Sequence, residues 1–426
     1  MVYVQDKTGK ALMPTERHGK VRRLLRDGLA VVVRREPFAI QLTYENTTYT
    51  QPVSLGIDAG SHHIGVSATT DKREMFTAQV ELRTDIVKLL STRREQRRTR
   101  RSRKYRHRAP RFDNRRRPDG WLTPSIRQKV KSHLKVIRMA HSILPISKTT
   151  IEVAQFDTQK IKNDAIQGVE YQHGEQMGFW NVREYVLARD GHKCQHCKGK
   201  SGDKVLNVHH LESRKTGGNS PGNLITLCET CHKAYHKGEF QLKIQRETSL
   251  RDAAVMGIMR WEVYNAAKEK FQNVHLTYGY LTKHARIGNG VEKSHTADAR
   301  CISGHPLAAA QDDMYVLKQR RRHNRQIHKC TILKGGYRKA NQAPYLVKGY
   351  RLFDKVKYGG EECFITGRRQ SGSFAIKTID GKSLSDGVSA KRLLFQNISK
   401  GFLISKRRNV PFPHPTKAGS IHGIES

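Results

Sequence analysis

Acidic residues are scarce in this chain: its 426 residues carry 38 Asp+Glu against 79 Lys+Arg, a formal net charge of +41. A compact state with that excess repels itself unless a polyanion neutralises it. Long hydrophobic runs are missing too. The longest, such as Leu29 to Val33, are far too short to span a bilayer. No basic amphipathic helix with an apolar stripe is present to lie on a membrane surface, so nucleic acid is the expected polyanion and a membrane is not. The opening residues, Met1-Val2-Tyr3-Val4-Gln5-Asp6, lack the layout of a signal peptide. Cysteine is sparse, with seven in all, and Cys301, Cys330 and Cys363 stand alone. That excludes a disulfide scaffold and points to a reducing, cytoplasmic setting, at the nucleoid when on DNA. No internal repeat of useful length occurs. The length exceeds what one core organises and implies two to four domains.

The other four cysteines are paired, as Cys194-Gln195-His196-Cys197 and Cys228-Glu229-Thr230-Cys231-His232. Two CxxC knuckles around one folded excursion have the spacing of a tetrahedral structural zinc site. Between them only Val205-Leu206-Asn207-Val208 and Leu224-Ile225-Thr226-Leu227 are apolar. A hairpin, a helix and a zinc clip are expected, in a module too small to bury enough apolar surface unaided. Zinc ribbons that only bind share this cysteine spacing. His209, His210, the Gly217-Gly218 turn, Asn223-Leu224 and His232 go further, because His209, His210, Asn223 and His232 can converge on one divalent cation. Phosphodiester hydrolysis needs a metal on the scissile phosphate and a free imidazole to take a proton from water. The pattern resembles the HNH nuclease module. That resemblance implies that His210 is the general base, that His209 and His232 hold the metal, and that Asn223 orients the His210 loop, with His236 a candidate substitute ligand.

A second set of acidic residues lies on elements that could share one sheet. Val53 to Gly60 reads as a strand ending in a glycine turn, with Asp58 at the end of its apolar run and Ile64 to Thr69 as hairpin partner. Thr150 to Ala154 reads as a strand carrying Glu152, and Lys293 to Ile302 as a helix with His295 and Asp298 on one face. Carboxylates gathered this way can hold two metal ions about 3.5–4 Å apart. Singly, an Asp at a strand end, a Glu in mid-strand and an Asp three after a His are commonplace, and the information is in their order.

Residues 93 to 117 carry thirteen arginines, among them Arg93, Arg94, Arg97, Arg98, Arg100, Arg101 and Arg103. No Gly or Pro interrupts Ile86 to Ala109, so a helix is allowed until Pro110. Its arginines circle the axis, which suits nucleic acid on more than one side, since guanidinium binds phosphate bidentately and stacks on bases.

The order Asp58 strand, arginine segment, Glu152 strand, HNH module and His-x-x-Asp helix resembles the RuvC-type RNase H fold interrupted by an HNH domain. With Lys10-Ala11-Leu12-Met13-Pro14 ahead of an Arg-rich helix, Arg17 to Arg26, the chain resembles the transposon-encoded IscB family, related to CRISPR RNA-guided nucleases. Ala11 stands where the family's Pro-Leu-Met-Pro motif has its first proline. The resemblance implies an α/β multidomain fold. Its parts would be an RNase H-like (RuvC) mixed sheet split in three segments, an inserted zinc-stabilised ββα-metal HNH domain, an arginine-rich bridge helix and a C-terminal β-rich domain. Expected bounds are 1–52 for the N-terminal PLMP-like domain, 53–90, 119–158 and 246–304 for the RuvC segments, 91–118 for the bridge helix, 159–245 for HNH and 305–426 for the rest.

The implied activity is metal-dependent, RNA-guided endonucleolytic cutting of double-stranded DNA beside a short flanking motif. HNH would cut the guide-paired strand and RuvC, through Asp58, Glu152, His295 and Asp298, the displaced one. Expected cofactors are Mg2+ at both centres (Asp58, Glu152 and Asp298; His209 and His232) and structural Zn2+ on the cysteines. Expected partners are one guide (omega) RNA per protein and target DNA. Residues 305–426, β-rich and basic with Arg368, Arg369, Gln370 and Lys377, are the expected reader of the flank. Two alternatives remain: an HNH homing-type endonuclease that reads DNA itself, and a basic RNA-binding transposon regulator with vestigial nuclease residues.

Overall fold

The computed structural model describes residues 1–101, 120–153, 176, 178–212, 219, 221–242, 251–321 and 343–409, with backbone alone at 100–101 and 251–254. The arginine segment past 101 with Arg103, the Gly217-Gly218 turn, Arg322 to Arg325 and the prolines at 411, 413 and 415 lie outside the described residues. The chain divides into two compact units, Met1–Ala154 with Gly257–Ser426, and Gln155–Met256.

The first unit opens with β1 (Tyr3–Gln5), α1 (His18–Arg26), β2 (Ala30–Arg35) and β3 (Phe38–Leu42), a three-stranded sheet in the order β1-β3-β2. Val2, Leu12, Val21, Ile40 and Leu42 form its core. Only Val21 of the arginine-rich α1 is fully buried, so the helix presents its cations outward.

Three strands follow as an antiparallel meander, β4 (Val53–Ala59), β5 (His63–Thr69) and β6 (Glu74–Glu81). Their residues are apolar or small on both faces, the pattern of strands covered on both sides. Next come α2 (Ile86–Arg101), α3 (Pro124–Ile143) and β7 (Ile146–Val153), with β7 parallel to β4. Pro124 begins α3 and Thr123 caps it, and its buried face includes Ile126, Val130, His133 and Ile137.

The second unit contains α4 (Val182–Arg189), the hairpin β8 (Leu206–His210) and β9 (Leu224–Cys228), and α5 (Glu229–Lys237). Asn181 caps α4 by accepting from the Glu184 N–H at 3.0 Å, and Gly238 closes α5 in the left-handed conformation. Its core is small: Ile225 and Leu227 with the four CxxC cysteines, flanked by Leu206, Leu211, Phe240 and Leu242.

Past α6 (Arg251–Lys268), β10 (Val274–Tyr278) pairs in parallel with β7, followed by α7 (Gly279–Gly288) and α8 (His295–Ser303). Then β11 (Asp313–Gln319) joins β6, and a five-stranded antiparallel sheet comprises β12 (Lys355–Tyr358), β13 (Glu361–Arg368), β14 (Ser373–Lys377), β15 (Ser383–Ser389) and β16 (Leu394–Asn397). Finally β17 (Phe402–Arg408) pairs with β11. The large sheet thus runs β10-β7-β4-β5-β6-β11-β17. The mixed α/β, multidomain architecture is as expected. One difference concerns residues 305–426: β11 and β17 complete the large sheet, because β6 offers an edge that they cover. Arg368 and Arg369, two of the side chains suited to base edges, donate to the backbone carbonyls of Tyr345 and Asp386 in the same region. Among the described residues no helix is long and apolar enough to cross a membrane.

Candidate active sites

In the first unit, α8 lies directly on the backbone of β4 and β5. A Cβ at Gly56 would stand 2.0 Å from the Ala299 carbonyl oxygen, and one at Gly65 would stand 1.8 Å from that of His295. Ser294 caps the helix, accepting from the Ala297 N–H at 3.0 Å, so that His295 and Asp298 fall in the first turn. Asp58, near the end of β4, accepts from His295 Nδ1–H at 2.7 Å. Glu152, one residue before the end of β7, is buried, although a glutamate in mid-strand ordinarily faces solvent.

Between these carboxylates lies Arg260, from α6. Its Nη1 is 2.8 Å from Glu152 Oε1, its Nη2 is 3.8 Å from Asp58 Oδ1, and its Nε donates to the Ala59 carbonyl at 2.9 Å. Arg286 holds Asp298 in the same manner at 3.2 Å. Burial pushes the Glu152 carboxyl above its usual range; Arg260 opposes that shift without cancelling it, and Asp58 adds to it. Asp298 is raised by burial and then by Asp58. The hydrogen bond that it donates to Asp58 raises His295, which stacks on His63 at 5.4 Å. Carboxylates are the donors that oxygen-preferring divalent ions take, and here Arg260 and Arg286 hold them in the meantime. The structure therefore brings Asp58, Glu152, His295 and Asp298 together. Sequence reasoning missed Arg260, which follows the buried Met259 directly and stands one turn from the buried Val263.

In the second unit, Cys194, Cys197, Cys228 and Cys231 place their sulfurs within 4.8 Å of one another. Cys197 and Cys228 are 3.8 Å apart, the edge of a tetrahedron with Zn–S bonds of about 2.3 Å. The residues fit a structural zinc with a closed thiolate shell. Ser201 lowers the Cys197 thiol to about 5, while burial pushes Cys231 up. Apart from these four, one further group of three metal-ligating side chains occurs among the described residues: His209, His232 and His236.

Alternation along β8 sends successive side chains to opposite faces. His209 packs under α5, its ring 5.1 Å from those of both His232 and His236. The latter two, one turn apart, approach to 3.2 Å between Nε2 atoms. Burial and the neighbouring imidazoles drive His209 down to about 4, and burial followed by His236 lowers His232, so both favour the neutral imidazole. His210 donates from Nε2 to Asn219 Oδ1 at 3.0 Å, which leaves Nδ1 as its proton acceptor. Asn223, fully buried, accepts from the Glu212 N–H at 2.9 Å and donates to the Glu212 carbonyl at 3.1 Å, tying down the loop after His210. His209 and His232 come together as the spacing suggested, and His236 completes the set. Three imidazoles without a carboxylate suit Zn2+, Ni2+ or Cu2+ better than Mg2+.

Residues 2–174 match the family model of RRXRR protein, and residues 194–238 match that of HNH endonuclease. Anaredoxin of Nostoc sp. is 46% identical over 41 residues, 9% of this chain and 54% of that protein, so the chain spans about half the length of this curated relative. Two structures of Cas9 from Streptococcus thermophilus, complexed with GGAA and AGAA PAM, are 15% identical. They cover 44% and 43% of this chain and 26% of theirs, with TM-scores of 0.30 and 0.29. The chain thus carries an RRXRR match over its amino-terminal part, followed by an HNH endonuclease match.

Proposed function

We propose that the protein is an RNA-guided, metal-dependent DNA endonuclease with two nuclease centres, one in each compact unit. The observation that supports this reading is the gathering of polar side chains into two separate clusters, one in each unit. One holds buried carboxylates with a histidine, the other a histidine triplet with a free base. The strand order β10-β7-β4-β5-β6, antiparallel in its last three strands and parallel in its first three, is that of an RNase H-type sheet and supports a RuvC role for Asp58, Glu152, His295 and Asp298. A bound divalent ion at each centre, Mg2+ at the carboxylates, would supply charge to the scissile phosphate and acidify the attacking water. In the HNH centre the Nδ1 of His210 accepts the water proton, Asn219 holds the ring in that tautomer, and Asn223 fixes the loop. His209 and His232, with His236, are the ligands.

Guide RNA as the partner draws support from the net charge of +41 and from α2, which carries Arg93, Arg94, Arg97 and Arg98 along one continuous helix in the manner of a bridge helix. Residues 305–426 would read the motif flanking the target, and the protein would act in the cytoplasm on the host DNA. Sequencing the RNA that co-purifies with the protein, then nicking a plasmid bearing the matching target, tests the reading. His210→Ala and Asp58→Ala should give nickases of opposite strands. Loss of both cuts in either variant, with DNA binding intact, overturns two independent centres. Cutting without bound RNA favours the homing-type alternative.

A further inference from the structure

A groove of about 660 Å³ runs between two edge strands of the first unit, β2 of the three-stranded sheet and β16 of the five-stranded one, with α3 and β17 completing its walls. Its lining has an uncommon composition for so charged a chain. Val32 is 47% exposed, Phe395 39% and Ile398 41%, side by side with the buried Phe402. An apolar surface left open on a soluble fold marks a binding site. Cations frame the aromatic faces: the Arg35 guanidinium is 5.9 Å from the centre of the Phe395 ring, and Lys135 Nζ is 4.6 Å from that of Phe402. The Arg35 side chain also donates to the Gln396 carbonyl at 2.7 Å, bracing β2 against β16.

The charges in the groove do not balance internally. Arg34 Nη1 is enclosed by the wall yet meets no acceptor, and burial lowers the guanidinium pKa. Glu36, the acidic residue of the lining, is bound to Lys355. An enclosed donor without an acceptor is costly unless a ligand supplies one. Beside it stands the Phe395 ring, partly open to solvent. A ligand with a flat π-face and an anion meets both demands, and a nucleotide is such a ligand. In a duplex the base faces are already stacked on one another, so the groove selects a splayed, single-stranded nucleotide.

We propose that this groove seats an unpaired nucleotide of the guide RNA, with its base on Phe395 and its phosphate beside the Arg34 guanidinium. The proposal rests on the RNA-guided reading. RNA is the fitting source because, on that reading, it is the resident partner. A displaced DNA strand is present only while a target is open, and would leave the apolar strip uncovered the rest of the time.

The test uses the full-length protein and four labelled probes: octauridine, an abasic RNA octamer, octathymidine and a 20-base-pair duplex. Phe395→Ala should weaken octauridine binding roughly tenfold, the cost of one lost base stack, and leave the abasic octamer unchanged. Arg34→Gln should weaken both RNA probes. Octauridine carrying 4-thiouridine should crosslink to the peptide containing Phe395. Unchanged octauridine affinity in Phe395→Ala, or crosslinks confined to α2, overturns the groove while RNA binding itself stands. Tighter binding of octathymidine or duplex than of octauridine, with the same dependence on Phe395, assigns the groove to DNA and overturns the proposal. Failure of every single-stranded probe to bind defeats both the groove and the RNA-guided reading. Unchanged melting temperatures in both variants show that the fold is intact.

Discussion

Arg260→Met removes the guanidinium from between Glu152 and Asp58 while keeping most of the side-chain volume. Arg260 and both carboxylates are about nine-tenths buried, so the change strands charged groups away from water. At about 4 Å between charge centres and an effective dielectric of about 20, the lost attraction is about 4 kcal/mol. Breaking a buried pair from one side costs about 3–5 kcal/mol. For a unit of this size that lowers the melting temperature by roughly 10 °C. The loss should be full in EDTA and should shrink with millimolar Mg2+, because the divalent ion neutralises the same carboxylates. The pH dependence has a definite sign. Glu152 already sits above its ordinary pKa, so its folded state favours the protonated form. Losing Arg260 raises it further, and the defect should be smaller at pH 5 than at pH 8. Adding Glu152→Gln should restore much of the stability. Thermal melts of the two variants with and without Mg2+ decide the matter. An equal deficit in EDTA and Mg2+, without rescue by Glu152→Gln, refutes the account of Arg260 as an internal counter-ion.

Metal analysis of the purified protein should find about one tightly held zinc per chain, lost in Cys194→Ser together with protease resistance of residues 155–256; zinc loss with that unit intact speaks against a structural ion. Replacing Arg97, Arg98, Arg100 and Arg101 by Ala should weaken RNA binding and flatten its dependence on salt, because fewer counterions are released, and an unchanged slope contradicts an RNA role for α2. His133 is fully buried with Nε2 unpartnered, and burial holds it near pKa 4. Its folded pKa is below the unfolded one, so its stabilising share is complete above about pH 6.5 and disappears toward pH 4, on the order of 3 kcal/mol. His133→Gln should lose that acid sensitivity, as read from denaturant unfolding at pH 7 and pH 4.5.

The local elements were legible wherever one segment carried its own signal. The glycine turn after Asp58 marks the end of β4, the helical pattern from Lys293 to Ile302 marks α8, and the paired CxxC knuckles mark the sulfur cluster. Gathering the three carboxylates required the order of segments, since nothing in Ile151-Glu152-Val153 alone says that the glutamate is buried. Arg260 was invisible because a single cation in a helix ordinarily snorkels to solvent. His236, in the sequence only a candidate substitute ligand, joins the set as the i+4 neighbour of His232 once α5 is known to face β8. The groove joins residues some 360 positions apart along the chain, and no local pattern encodes such a meeting.

At Gly56 and Gly65 main chain rests on main chain: the carbonyls of Ala299 and His295 occupy the space where side chains would be. Peptide geometry, not rotamer choice, sets the distance from Asp58 to His295. A mutational scan of β4 and β5 would find these two glycines as intolerant as the acids themselves, with alanine already excluded. Spacing at this centre is therefore not an adjustable variable for an engineer or for natural selection. New chemistry here has to come from exchanging ligands at a fixed separation.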